Sequence, residues 1–196
     1  EIPVLDIGCQ PTYHKVNRKN FMTNTKVLLP LFGVNIISLI GFATFANDPD
    51  YLKIFPWAEP LFEISYPLFS RLQILFSAIS MFIILSKRCS KLWLKSFFAI
   101  SFTSLASELL GTSFGIPFGA YSYSSLLGYK ILHKVPALIP LSWFYMALAS
   151  YDLVRIQLNS HRSFSILRVV FASFLLLSWD LVLDPAMSHL TPFWLW

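Results

Sequence analysis

An all-α, polytopic transmembrane helix bundle is the fold the sequence predicts, and three observations carry it. Apolar residues make up 56% of the 196-residue chain, charged residues only 13%, and the mean hydropathy is +0.62. Five runs approach the roughly 20 mainly apolar residues that a helix needs to cross a hydrocarbon core. Lysine and arginine crowd into alternate connections between those runs, the pattern by which a membrane protein sets its orientation.

The runs lie at 27–46, 67–86, 92–110, 135–151 and 164–183, and the first and the fourth are wholly free of charge. Arg71, Lys95 and Arg168 each fall within about a turn of a run's end, where the head group reaches the interface while its stem stays in lipid. They leave the spans intact. The amino-terminal tail holds Lys15, Arg18, Lys19 and Lys26. The second connection holds Lys87, Arg88, Lys91 and Lys95, and the fourth holds Arg155, Arg162 and Arg168, so that these three places take 11 of the 15 basic residues. Positive residues mark the cytoplasmic side. The first connection, with Asp48, Asp50, Glu59 and Glu63 against Lys53, belongs on the other side.

The expectation is therefore an integral, multi-pass protein of a plasma or thylakoid-type membrane, with a cytoplasmic amino terminus and Trp196 outside. The net charge of +5 follows from that orientation. Nucleic-acid binding is excluded because the basic residues flank spans and no stacking platform accompanies them. No repeat, low-complexity tract or charged linker divides the chain, which predicts a polar tail over 1–26 and one transmembrane domain over 27–196. The tail is polar and mixed, unlike a cleavable signal peptide. Met22 opens "MTNTKVLLPLFG" like a natural start, so residues 1–21 are expected to lie upstream of it. Cys9 and Cys89 show no spacing for a metal clip or redox pair and read as free thiols on a reducing face.

Three stretches depart from apolar spans and polar loops. Glu108, in "LASELLGTSF", stands near the end of the third run. A carboxylate there faces the bundle interior or a wet cavity; alternatively it is a packing device, held by a neighbouring Ser or Thr or by Lys130 or Lys134. In "GTSFGIPFGAYSYSSLLGYKI", Gly111, Gly115, Gly119, Gly128 and Pro117 make a continuous helix improbable, and no charge appears from Phe114 to Tyr129. Irregular backbone at membrane depth must be buried in protein or line a cavity. A re-entrant or interfacial loop capping a pocket follows, with Phe118, Tyr121 and Tyr123 offering ring faces; the alternative is a plain interfacial loop whose tyrosines form an aromatic belt.

The third stretch is "WDLVLDPAMSHL". On a continuous helix Asp180 and Asp184 lie one turn apart on one face, and two close carboxylates in a dry place do not both ionise easily, which makes one a candidate general acid. Pro185 offers another reading, with Asp184 as the cap of a new short helix. An Asp-x-x-x-Asp pair is also what membrane prenyltransferases use to hold a magnesium diphosphate, but the second acid-rich segment they need is missing apart from the exposed first connection. His14, His133, His161 and His189 are scattered, which argues against a di-iron oxygenase. Gly-rich nucleotide fingerprints are absent, and no metal site or cofactor is expected. A transporter would show paired broken helices with midplane charges, which the sequence lacks.

The words "ELLGTSFGIPFGAYSYSSLLGYKILHKVPALIPLSWFYMALASYDL" and "WDLVLDPAMSHLTPFWLW", in that order, resemble the carotenoid biosynthesis membrane-protein family. That family includes bisanhydrobacterioruberin hydratase and the cyanobacterial gamma-carotene 1'-hydroxylase, which are of the carotenoid 1',2'-hydratase type. The resemblance covers 108–196; earlier residues match in hydropathy alone, and family members continue past Trp196 with further spans, so a truncated chain is expected.

The resemblance implies addition of water across the terminal double bond of a linear carotenoid end group to give a tertiary alcohol, by acid catalysis without a cofactor. It implies a linear carotenoid and the lipid bilayer as partners, and association with other enzymes of carotenoid synthesis. Asp180, Asp184 and Glu108 are the expected catalytic residues. Phe118, Tyr121, Tyr123, Trp179 and His189 are the expected substrate-binding residues. The competing expectations are a non-enzymatic carotenoid- or lipid-binding scaffold and, with less support, a membrane prenyltransferase.

Overall fold

The structure, a computed structural model, describes residues 18–46, 50–117, 119–158 and 165–196. Six α-helices appear among the described residues: α1 (Arg18–Gly41), α2 (Asp50–Ile54), α3 (Glu59–Arg88), α4 (Leu92–Phe114), α5 (Leu138–Gln157) and α6 (Ser165–Pro185). Four helical segments, Lys26–Phe45, Pro56–Arg88, Leu92–Phe114 and Ile166–His189, are long and apolar enough to cross a membrane. The chain is an all-α membrane protein. The run at 135–151 does form helix α5, but this helix is not among those four. Large apolar side chains point outward, with Leu39 68%, Phe102 74% and Val182 76% exposed, as expected when lipid is the solvent.

The chain divides into two compact units, one within Gln10–Arg88 and the other built on Cys89–Trp196. In the first, α1 packs against α3, and Ser80 Oγ donates to the Val27 carbonyl across that pair at 3.1 Å. Helix α1 runs into a π-helical turn over Phe42–Ala46. Polar side chains in these helices fold back on their own backbone: Asn35 Nδ2 donates to the Leu31 carbonyl at 2.8 Å and Thr44 Oγ1 to the Ile40 carbonyl at 2.9 Å.

In the second unit α5 packs against both α4 and α6, around Phe144, which is fully buried and meets Phe97 edge-on at a centroid distance of 5.0 Å. Helix α4 turns an unusual side inward. Trp93, Ser96, Glu108 and Gly111 are its buried residues, all within one side of a 3.6-residue helix, while Phe98, Phe102 and Phe114 look out. Gly115 ends it with a left-handed φ of 71°, its N–H bonded to the Gly111 carbonyl at 2.8 Å, the conformation that glycine adopts without a Cβ clash.

The Gly-rich stretch contains more order than a loop reading implies. Strands β2 (Lys130–Ile131) and β3 (Val135–Pro136) pair antiparallel, joined by a turn whose central residues, Leu132 and His133, both have positive φ, the sign a type I′ hairpin requires. Strand β1 (Ser122–Tyr123) pairs antiparallel with β4 (Trp194–Leu195), Tyr123 opposite Trp194. Between α6 and β4 the chain makes a π-helical turn over Ala186–Leu190. Phe193, 1% exposed, anchors the return, its carbonyl accepting from the Ser124 N–H at 2.9 Å.

One expectation is corrected here. Cys89 is disulfide-bonded and is not a free thiol on a reducing face. Neither partner spacing nor burial marks that from sequence alone. Cys9 lies outside the described residues.

Candidate functional site

A buried carboxylate in a membrane helix is tolerated only with hydrogen bonds to match it. Glu108 is 6% exposed and receives three. Tyr121 and Tyr123 donate their hydroxyls to Oε2, the second at 2.8 Å, and Trp143 Nε1 donates to Oε1 at 3.1 Å. The donors come from the loop after α4, from β1 and from α5, so the carboxylate joins three pieces of chain.

The sequence reading offered a Ser, a Thr, Lys130 or Lys134 as the group holding Glu108, and the structure gives those side chains other work. Thr112 Oγ1 bonds the Glu108 backbone carbonyl at 2.8 Å. Lys130 Nζ donates to the Tyr123 carbonyl, and Lys134 Nζ bonds Ser113 Oγ at 2.7 Å. A lysine far along a hairpin cannot be aimed from sequence, whereas two tyrosines spaced i, i+2 on a strand share a face by geometry.

That same period explains the rings above them. Tyr121 and Tyr123 flank one side of β1, and Trp194 of β4 and Trp196 just after it answer at the same spacing. Tyr123 meets Trp194 edge-on at 6.0 Å, Tyr121 meets Trp196 at 5.3 Å, and the two tyrosines are themselves 5.6 Å apart. Each is within the 4.5 to 7 Å over which ring pairs attract. Gly111 makes room for this arrangement: a Cβ at that position would sit 2.7 Å from Cε1 and from the hydroxyl of Tyr121.

Burial pushes both phenols up, well above the ordinary tyrosine range, and the Glu108 carboxylate beside them pushes in the same direction. Deprotonation would place a second negative charge beside the first in a poorly solvated place. Both tyrosines therefore stay protonated and donate.

Helix α6 continues through Asp180 and Asp184 to Pro185, so the two acids do lie one turn apart, and Asp184 does not cap a new short helix. Pro185, which precedes the π-turn, supplies it no side-chain cap. Asp184 Oδ1 accepts from Trp194 Nε1 at 2.6 Å, and Ser188 Oγ returns to its backbone carbonyl at 2.7 Å. Asp180 is half-buried and within electrostatic reach of Asp184, Glu108 and Tyr121. Its carboxyl has no hydrogen-bond partner among the described residues.

The structure thus brings Glu108, Tyr121, Tyr123, Asp180 and Asp184 into one cluster. Trp179 is 54% exposed, about 100° round the helix from Asp180, and His189 is exposed on the π-turn; neither has a ring contact or hydrogen bond with the cluster. Phe118 lies outside the described residues. Trp143, Trp194 and Trp196 were missed by sequence reasoning, although "YSY" and "FWLW" share a two-residue aromatic period that could have matched the strands. Among the described residues no three His, Cys, Asp or Glu side chains converge to hold a metal ion.

Fold and cluster together define a class: a membrane helical protein with a hydrogen-bonded carboxylate, a second acid without a hydrogen-bond partner among the described residues, and a stacked aromatic wall. The chain belongs to the carotenoid biosynthesis protein family, whose family model matches residues 69–196, well over half its length. It is similar to bisanhydrobacterioruberin hydratase of Haloarcula japonica, 32% identical over 87 residues. That match takes in 44% of this chain and 30% of the relative, so the chain spans less than a third of the relative's length. No solved structure matches the chain.

Proposed function

We propose that the protein is a carotenoid hydratase that adds water across the terminal carbon–carbon double bond of a linear end group. Asp180 gives its proton to the less substituted carbon of the isopropylidene end, the π electrons forming the new C–H bond and leaving a tertiary cation. Tyr121, Tyr123, Trp194 and Trp196 present ring faces to that cation, and the negative charge of Glu108 stabilises it through a medium of low dielectric. Water adds to the cation, and the proton it sheds returns to the Asp180 carboxylate. One water is consumed and the acid is regenerated.

The observation that carries this reading is the contrast between two acids. Both oxygens of Glu108 are occupied by donors, which suits a group that stays charged and still. Asp180 is within electrostatic reach of Tyr121, and its carboxyl is unengaged among the described residues, which suits a group that moves a proton. Asp184, tied to Trp194, positions the β4 wall. The family and the hydratase relative support a carotenoid-related role and the reading extends it to the reaction; the surface of apolar side chains supports a substrate delivered from the bilayer.

A second reading has its own observation. A carboxylate satisfied by three donors is also what a purely structural hub looks like, and a carotenoid-binding scaffold would need no more. The full-length protein separates the two when expressed in cells that accumulate a linear carotenoid, grown without oxygen in heavy-oxygen water. A hydratase places solvent oxygen in the pigment; a scaffold leaves the pigment unaltered. Undiminished product from Asp180→Asn, Asp184→Asn and Glu108→Gln alike would end the acid-catalysis proposal.

A further inference from the structure

The Gln10–Arg88 unit holds a cavity of about 250 Å³ that takes no part in the cluster around Glu108. Its walls are aromatic: Phe42, Phe45, Trp57, Phe62, Tyr66 and Phe69 line it. Phe62 meets Tyr66 edge-on at 6.0 Å, Phe42 meets Tyr66 at 6.4 Å and Phe45 meets Phe62 at 6.3 Å. One wall is the π-helical turn Phe42–Ala46, and single π turns inside helices recur at functional sites.

Gln73 also lines the cavity. In the Pro56–Arg88 helical segment it stands roughly 20 to 25 Å from either end at 1.5 Å per residue, near mid-depth of a membrane. An amide left unpaired in hydrocarbon is costly. Four other polar side chains of this unit's helices are satisfied by protein: Asn35, Thr44 and Ser65 by carbonyls of their own helices and Ser80 by Val27 across the pair. The Gln73 amide has no such partner among the described residues. Ser38 and Ser70, also lining residues, are likewise without one.

We propose that this cavity binds a hydroxylated linear polyene, with the rings against the conjugated chain and the Gln73 amide on the hydroxyl. An amide both donates and accepts, so it can meet a hydroxyl in either sense where lipid can do neither. A rigid conjugated chain loses little conformational freedom on entering a ring-lined slot, whereas a saturated acyl chain loses much. Most of the lining residues precede the segment that matches the family. The identification of the ligand rests on the hydratase reading, because such an alcohol is the product of that reaction.

The test uses the full-length Asp180→Asn protein in lipid nanodiscs with purified pigments added, so that binding is read whether or not the protein turns substrate over. Quenching of Trp57, isolated as the difference from a Trp57→Phe variant, reports occupancy. The hydroxylated polyene is expected to bind about tenfold more tightly than its unhydroxylated parent. Gln73→Leu, a substitution suited to a lipid-exposed helix position, is expected to erase that difference while leaving the parent's binding in place; Phe62→Ala is expected to weaken both. Equal binding of the two polyenes, or displacement by an equal concentration of a prenylquinone or a phospholipid, would overturn the proposal. Absence of heavy-oxygen incorporation by the unaltered protein, with selective binding intact, would instead sink only the hydratase reading.

Discussion

The two units treat polar groups within aromatic surroundings in opposite ways. Around Glu108 every oxygen of the buried carboxylate meets a donor, and the donors are tyrosines and a tryptophan whose rings stack in turn. Around Gln73 the rings leave a space, and the amide meets no hydrogen-bond partner among the described residues. In a low dielectric, satisfied polar networks are rigid and unsatisfied ones are costly. The first arrangement suits a group that must hold a charge still; the second suits a group that waits for a ligand.

The largest expected effect separates Asp180 from its neighbours. Removing a positioned general acid slows proton transfer by about 10²- to 10⁴-fold, and no hydrogen bond is broken with it. Asp180→Asn is expected to lose hydration on that scale in membranes while its thermal unfolding in detergent matches the unaltered protein. Equal loss of activity and stability would make Asp180 structural.

Next comes the contrast between the regions themselves. Glu108→Ala strands the hydroxyls of Tyr121 and Tyr123 and the Trp143 N–H, and at 1 to 3 kcal/mol for each unsatisfied buried donor the variant is expected to lose about 3 kcal/mol or more. Gln73→Leu is expected to shift stability by no more than about 0.5 kcal/mol, since it removes no bond. Denaturation of both variants in the same detergent checks the pair, and comparable losses would erase the distinction.

Spans and orientation signals are legible in sequence because lipid imposes one requirement on every residue of a span, and hydropathy reports it. Helix α5 marks the limit of that signal: Ser142, Trp143, Ser150 and Asp152 lower its apolarity because it packs on both α4 and α6, where protein takes the place of lipid. Glu108, Asp180 and Asp184 were legible as charges out of place. Their partners were not, because Tyr121, Tyr123, Trp143 and Trp194 come from segments up to dozens of residues apart, and the β1–β4 pairing that gathers them spans only two residues per strand. A two-residue strand has too little alternation to announce itself.

Gly111 gives a smaller effect on the same cluster. An alanine Cβ 2.7 Å from the Tyr121 ring and hydroxyl forces the ring to move, and overpacking of this kind typically costs 1 to 3 kcal/mol. Gly111→Ala is expected to lower the rate of hydration more than it lowers helix content, which product analysis and circular dichroism together would measure.

The smallest effect is the pH dependence that the phenols give the cluster. Tyr121 and Tyr123 have folded pKa values raised above the ordinary 10.0 by burial and by the Glu108 charge. A group whose pKa is raised by folding contributes its stability in full below its unfolded pKa and loses it as pH climbs above that value. Stability is therefore expected to be insensitive to these two tyrosines through neutral and mildly alkaline pH and to fall above about pH 10. Tyr121→Phe and Tyr123→Phe should each make that fall shallower when unfolding is followed across the alkaline range. A fall as steep in both variants would mean that the phenols are not linked to folding, and the hydrogen bonds that hold Glu108 would lose their account of why they persist.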